Sequence, residues 1–140
     1  MCALNLADHA VLAALIQPFQ VQTSERGKSN LGGYCQAVTA AAEKILNERC
    51  FLGHSWQAVE GTFFESNDNE TGHAWLQASN GYILDLTADQ FGLVIPLFVS
   101  CPHAQYSCNA EDVGIGVRES AQSWFGVIHQ SFASNGILHP

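Results

Sequence analysis

Basic residues are scarce in this 140-residue chain: five Lys and Arg stand against 13 Asp and Glu, a formal net charge of -8. A protein that neutralises a phosphate backbone needs clustered cations, and the closest basic pair is Arg26 and Lys28. Nucleic acid is therefore not expected as a partner; an acidic surface favours solubility and, at most, a basic partner. Charge of either sign is low at 13% of residues, while 47% are hydrophobic. Disordered chains have the reverse balance. Long apolar runs are also missing. No stretch reaches the roughly 18 uncharged apolar residues that cross a bilayer. The opening residues lack the basic start of a signal peptide, and Asp8 and His9 interrupt them. We expect a soluble, unprocessed, cytoplasmic protein with no membrane association. Its cysteines (Cys2, Cys35, Cys50, Cys101 and Cys108) are odd in number, so they cannot all pair within one chain. Without a secretion signal they are expected mostly as free thiols. There is no internal repeat and no low-complexity tract, and the length suits a single domain over 1–140.

What is present reads as an α+β chain. Residues 7–17 carry Val11, Leu12, Leu15 and Ile16 on one helical stripe, with Pro18 expected to end the helix. The polar, glycine-rich 23–33 reads as a loop. A second helix is expected from Tyr34 to Arg49, its buried face made by Val38, Ala41, Ala42, Ile45 and Leu46. Residues 56–65 are rich in aromatic and β-branched types and read as a strand. Two further strand patterns, 72–79 and 82–87, flank Asn80-Gly81, the strongest hairpin signal in the chain. Thr87-Ala88-Asp89-Gln90 has capping-box spacing for a short helical turn. Residues 93–99 read as a strand placed at an edge or bulge by Pro96. A closing helix is expected over 119–134, ended by Asn135-Gly136.

The chemistry centres on Cys35. A thiolate is favoured at a helix N-terminus and beside a histidine. Cys35 follows Gly32-Gly33 and begins the second helix, where unpaired N–H groups and the helix dipole favour negative charge. It shares the helix side of Val38 and Ala42, as a nucleophile lining a cleft between helix and sheet would. His73, after Gly72, is the candidate imidazole. Asp85, in an otherwise apolar strand, is the candidate for orienting that ring, because an ionised carboxylate there is costly without a partner.

The hairpin register tests this grouping. A two-residue turn at Asn80-Gly81 would put His73 and Asp85 on opposite faces of the sheet. A three-residue turn with Gly81 in the left-handed region pairs Ala78 with Tyr82 and Trp75 with Asp85 instead. His73 then lies diagonal to Asp85 on one face, roughly 7–8 Å away between backbone positions. The bulged turn is the expectation. A ring on the far side of the sheet would end the proposed acyl-transfer chemistry.

Gly-Tyr-Cys at a helix start, then Gly-His-Ala-Trp-Leu, then Ile-Leu-Asp-Leu-Thr-Ala-Asp-Gln-Phe-Gly, resembles the transglutaminase-like branch of papain-like cysteine enzymes over about residues 30–95. The resemblance implies a catalytic helix packed on an antiparallel sheet. It also implies a Cys35–His73–Asp85 triad and hydrolysis or exchange of an amide through a thioester, without metal or cofactor. Papain-like proteases place a glutamine oxyanion donor about six residues before the cysteine. Here that position is Ser29, and Asn30 and Gln22 are the nearby amides. Tyr34, Trp75 and Gln90 are the candidate cleft residues, Trp75 being equally readable as core and Gln90 as a packing or capping residue. Asp89, the rival third member, reads as a local cap.

Cys101-Pro102-His103 with Cys108 raises a zinc site, but the spacing matches no standard ligand pair and a fourth ligand is not evident. The expected activity is that of a cysteine hydrolase acting on a protein or peptide amide, with peptidase, amidase and glutamine deamidase outcomes open. The alternatives are a non-catalytic binding module on the same fold and a cell-wall amide hydrolase of another papain-like branch. Oligomeric state is left open.

Overall fold

A computed structural model describes residues 4–138. The architecture is α+β: an open antiparallel sheet of five strands, in the order β4-β3-β2-β1-β5, with helices packed on one face. The helices are α1 (Leu6–Glu25), α2 (Cys35–Glu48), α3 (Ile115–Ala121) and α4 (Phe125–Ser134). The strands are β1 (Trp56–Phe64), β2 (Glu70–Ala78), β3 (Ile83–Asp85), β4 (Leu97–Val99) and β5 (Glu111–Asp112).

Helix α1 continues through Pro18 rather than stopping there. Proline has no N–H to give the carbonyl four residues back, which is that of Ala14. That carbonyl instead accepts the Ser131 hydroxyl of α4 at 2.7 Å. The missing bond is replaced from another helix, so the expected stop at Pro18 is overturned by a tertiary contact. Leu12, Leu15, Ile16 and Phe19 of α1 are buried on both sides of the proline.

Helix α2 matches its expected span within a residue at each end, with Tyr34 and Arg49 as the flanking caps. It lies against β1 and β2 and buries Val38, Ala41, Ala42, Ile45 and Leu46. The expected closing helix begins earlier and is broken: α3 and α4 are joined by a 3₁₀ turn over Gln122–Trp124. Arg118 explains the early start. It forks onto both oxygens of Glu43 in α2 and both oxygens of Asp112 in β5, all at 2.7–2.8 Å, and so pins α3.

The β2–β3 register pairs Leu76 with Leu84 and Gln77 with Ile83. The turn is the three-residue form: Ala78 N donates to Tyr82 O at 2.8 Å, and Gly81 has φ +89°, which glycine alone adopts easily. Pro96 immediately precedes β4, which is an edge strand, as proline demands. The outer edge of β1 is covered twice, by β5 and by the segment 105–107. There Phe64 N donates to Gln105 O, and Ser107 N to Thr62 O.

Alternation along the strands divides the core. Trp56, Ala58, Leu76, Ala78, Leu84 and Leu86 pack under the helices. Val59, Phe63, Trp75, Ile83 and Tyr106 form a smaller cluster on the other face. Gly61 allows that second cluster to close, since a Cβ there would stand 2.6 Å from the Trp75 ring and 2.7 Å from Ser107 Oγ. No helix among the described residues is long and apolar enough to cross a membrane.

Candidate active site

Asp85 is the best-anchored of the site residues. Its side chain is wholly buried at the end of β3. Oδ2 lies 2.7 Å from His73 Nε2 and accepts the Tyr106 hydroxyl at 2.5 Å, while Oδ1 accepts the Thr87 N–H at 3.0 Å. A buried carboxylate is tolerable only with partners of this kind. The register brings His73 onto the same face two residues beyond Trp75, as the three-residue turn requires. The ring is enclosed edge-on by Phe91 at 4.9 Å and Phe63 at 5.8 Å.

This face is the one turned away from the core contacts of α2. The ring nevertheless meets the cysteine. Strand β3 pairs with β2 only at Leu76 and Gln77, so no paired residue of β3 reaches the His73 end of β2. At that end Gly33, Cys35, Gln36, Glu60, Gly72 and His73 line one cleft of about 290 Å³. The Cys35 thiol lies near enough to the His73 ring there to raise its pKa, after burial and Asp85 have had the larger effects. The expected cleft between helix and sheet is thus displaced to the end of α2, where the sheet is incomplete.

The electrostatics of the ring follow from these contacts. Burial is the largest single influence on His73 and lowers its pKa; the hydrogen bonds and charges of Asp85 and Cys35 together outweigh it and raise the pKa from 6.5 to about 9. The imidazole is therefore positively charged at neutral pH. Asp85 and burial push the Tyr106 hydroxyl far above its ordinary range, burial being the larger cause, so it stays a donor.

Gln90 is the third neighbour of the ring. Its Nε2 stands 3.1 Å from His73 Nδ1 and 3.2 Å from Thr87 O. An amide N–H donates to a neutral ring at Nδ1. On a charged ring Nδ1 carries its own proton, and the amide must then present its oxygen there. Gln90 rides on the 3₁₀ turn Ala88–Phe91. The turn forms as expected, but the capping box does not. Thr87 makes no side-chain cap, and its Oγ1 is buried without a partner among the described residues. Asp89 does more than its expected local role: its carboxylate reaches across to the Leu31 N–H at 3.2 and 3.3 Å, and so ties the loop before Cys35 to this turn. Burial raises the Asp89 pKa, against the lowering effect of that N–H.

The remaining candidates lie elsewhere. Trp75 is 1% exposed and belongs to the smaller core cluster, so it walls no cleft. Tyr34 packs edge-on to Phe19 and Trp124 and donates its hydroxyl to Gln22 Oε1 at 2.6 Å. Gln22, a residue of α1, is thereby tied to the start of α2. Asn30 Oδ1 accepts the Gly32 N–H at 2.9 Å. Neither Gln22 nor Asn30 lines the cleft at Cys35. The donors beside the sulfur belong to the backbone instead: no side chain caps the N-terminus of α2, which leaves first-turn N–H groups free of intrahelical partners.

Sequence reading missed Tyr106, Gln36 and Glu60. Gln36 Nε2 donates to Glu60 Oε1 across the cleft wall. Tyr106 sits 21 residues beyond Asp85 in a short irregular segment, where no periodicity marks it. Among the described residues no group of three or more His, Cys, Asp or Glu is arranged to hold a metal ion.

No protein-family model matches this chain, and neither a curated protein nor a solved structure does so.

Proposed function

We propose that the chain is a cysteine-dependent amide hydrolase of papain-like or transglutaminase-like type, using Cys35, His73 and Asp85. The observation that carries the reading is the chain of contacts from the Cys35 thiol through the His73 ring to Asp85, with the thiol at the start of a helix. Asp85 holds Nε2, so proton exchange with sulfur runs through Nδ1, beside which the Gln90 amide also stands. In this reading the thiol proton resides on His73 when the sulfur attacks. In the reaction the sulfur attacks a carboxamide carbon, and the C=O electron pair moves onto oxygen. The N–H groups at the uncapped start of α2 stabilise that oxyanion; one such donor contributes about 3–4 kcal/mol in comparable sites. As the C–N bond breaks, His73 gives its proton to the leaving nitrogen. Water, with its proton taken by His73, then resolves the thioester.

Glu60 in the cleft wall and the acidic balance of the chain favour a protein or peptide substrate carrying positive charge near the reacting amide. Cys35, Cys50, Cys101 and Cys108 are all free, which supports work in a reducing compartment such as the cytoplasm.

The side chains of His73 and Asp85 are both 0% exposed. That burial favours a second reading, a binding module in which the pair only holds the fold. A fluorescent thiol-reactive probe and a panel of basic peptides separate the two. The hydrolase requires Cys35 to react faster than the other thiols near neutral pH, and Cys35→Ala to lose both labelling and turnover. Turnover that survives Cys35→Ala sinks the enzymatic reading. Peptide binding without turnover in the parent chain supports the module.

A further inference from the structure

Two cysteines stand outside this chemistry. Cys101 and Cys108 flank a tight turn in which the Tyr106 N–H donates to His103 O at 3.2 Å and His103 pairs antiparallel with Tyr106. That isolated bridge closes the turn, and Cys101 and Cys108 lie two positions outside it on either side. A disulfide between them needs Cα atoms roughly 4.4–6.8 Å apart. Both thiols are free, Cys101 half-buried against the smaller core cluster and Cys108 exposed. They are also in contact: the Cys101 thiol is pushed up first by burial and then by Cys108 beside it. Inside this loop lies Tyr106, which is fixed on one side to Phe63 of β1 and on the other to Asp85.

We propose that Cys101 and Cys108 form a reversible dithiol–disulfide site, closed by low-molecular-weight disulfides, that locks the loop carrying Tyr106 against Asp85. The exposed Cys108 meets the reagent first. Its thiolate attacks one sulfur of the reagent disulfide and expels the other half as a thiolate, leaving a mixed disulfide. The Cys101 sulfur, its proton passed to solvent, then attacks the Cys108 sulfur and expels the second half. Two protein S–H bonds become one S–S bond, and the reagent is reduced by two electrons to two thiols. The bond itself is independent of the acyl-transfer reading; only its consequence for catalysis rests on that reading.

The experiment uses the full chain with Cys35→Ala, so that a failure of the proposed activity does not touch the result. The protein is equilibrated with oxidised glutathione, alkylated and digested for mass analysis. The expected product is a peptide pair joined through Cys101 and Cys108 with no retained glutathione. Ring closure should raise Tm by about 5 °C, as closing a short loop does in a domain of this size. It should also slow exchange of the Tyr106 amide about tenfold. Dithiothreitol should reverse both changes, and Cys108→Ser, at an exposed position, should abolish them. Glutathione held on Cys108 without closure overturns the proposal, as does closure with unchanged Tm and unchanged Tyr106 exchange.

Discussion

The Tyr106 hydroxyl donates to Asp85 Oδ2 at 2.5 Å, the same oxygen that holds His73. One carboxylate oxygen thus joins the β2 histidine to a loop that covers the far edge of the sheet. Tyr106→Phe removes the hydroxyl and keeps the ring packing on Phe63 and Trp75, whose centroids lie 5.2 and 5.0 Å away. A buried hydrogen bond to a charged acceptor contributes about 1.5–3 kcal/mol. Urea denaturation should show a loss of that size. A variant within about 0.5 kcal/mol of the parent would mean that Asp85 is satisfied without the phenol.

The pH dependence of stability carries a second prediction. His73 binds its proton more tightly in the folded chain, with a pKa of about 9 against 6.5 for the free side chain. Its stabilisation is therefore complete below about pH 6.5 and disappears as pH rises through about 9. The difference amounts to about 3 kcal/mol, and the denaturation midpoint should be higher near pH 6 than near pH 10. Asp85→Asn takes away the strongest raising influence, so the ring should titrate lower by NMR and the stability window should narrow. A parent ring that titrates below 6.5 would contradict the contact pattern around it.

The Pro18–Ser131 arrangement gives a third. Ser131→Ala should cost about 1 kcal/mol by stranding the Ala14 carbonyl. In a Pro18→Ala background the restored N–H serves that carbonyl, and the same substitution should cost much less. The double-mutant cycle measures the difference. Equal costs in both backgrounds would show that the hydroxyl does not replace the missing helical bond.

Much of the central region was legible because its signals are local. The β2–β3 turn follows from the Asn80-Gly81 pair together with the need to put His73 and Asp85 on one face, and Gly81 at φ +89° is the residue that makes it. Helix α2 followed from its apolar spacing. The errors arose where a distant partner overrides a local rule. Pro18 reads as a stop until Ser131 is brought to Ala14, and Asp89 reads only as a local cap until Leu31 reaches its carboxylate. The early start of α3 depends on Arg118 finding Glu43 and Asp112, which no periodicity encodes. In the candidate site, the pairing of His73 with Asp85 was legible from residue type and register. Tyr106 was not, because a phenol acting on a carboxylate 21 residues earlier leaves no spacing rule in the chain.

The bond from Asp89 to the Leu31 N–H has a mechanical consequence. It fastens the stretch leading into Cys35 to the turn bearing Gln90, which itself sits on the His73 ring. The approach to Cys35 and the amide beside the His73 ring are therefore anchored to one short turn. Cutting that anchor at Asp89 would free the loop and the amide together.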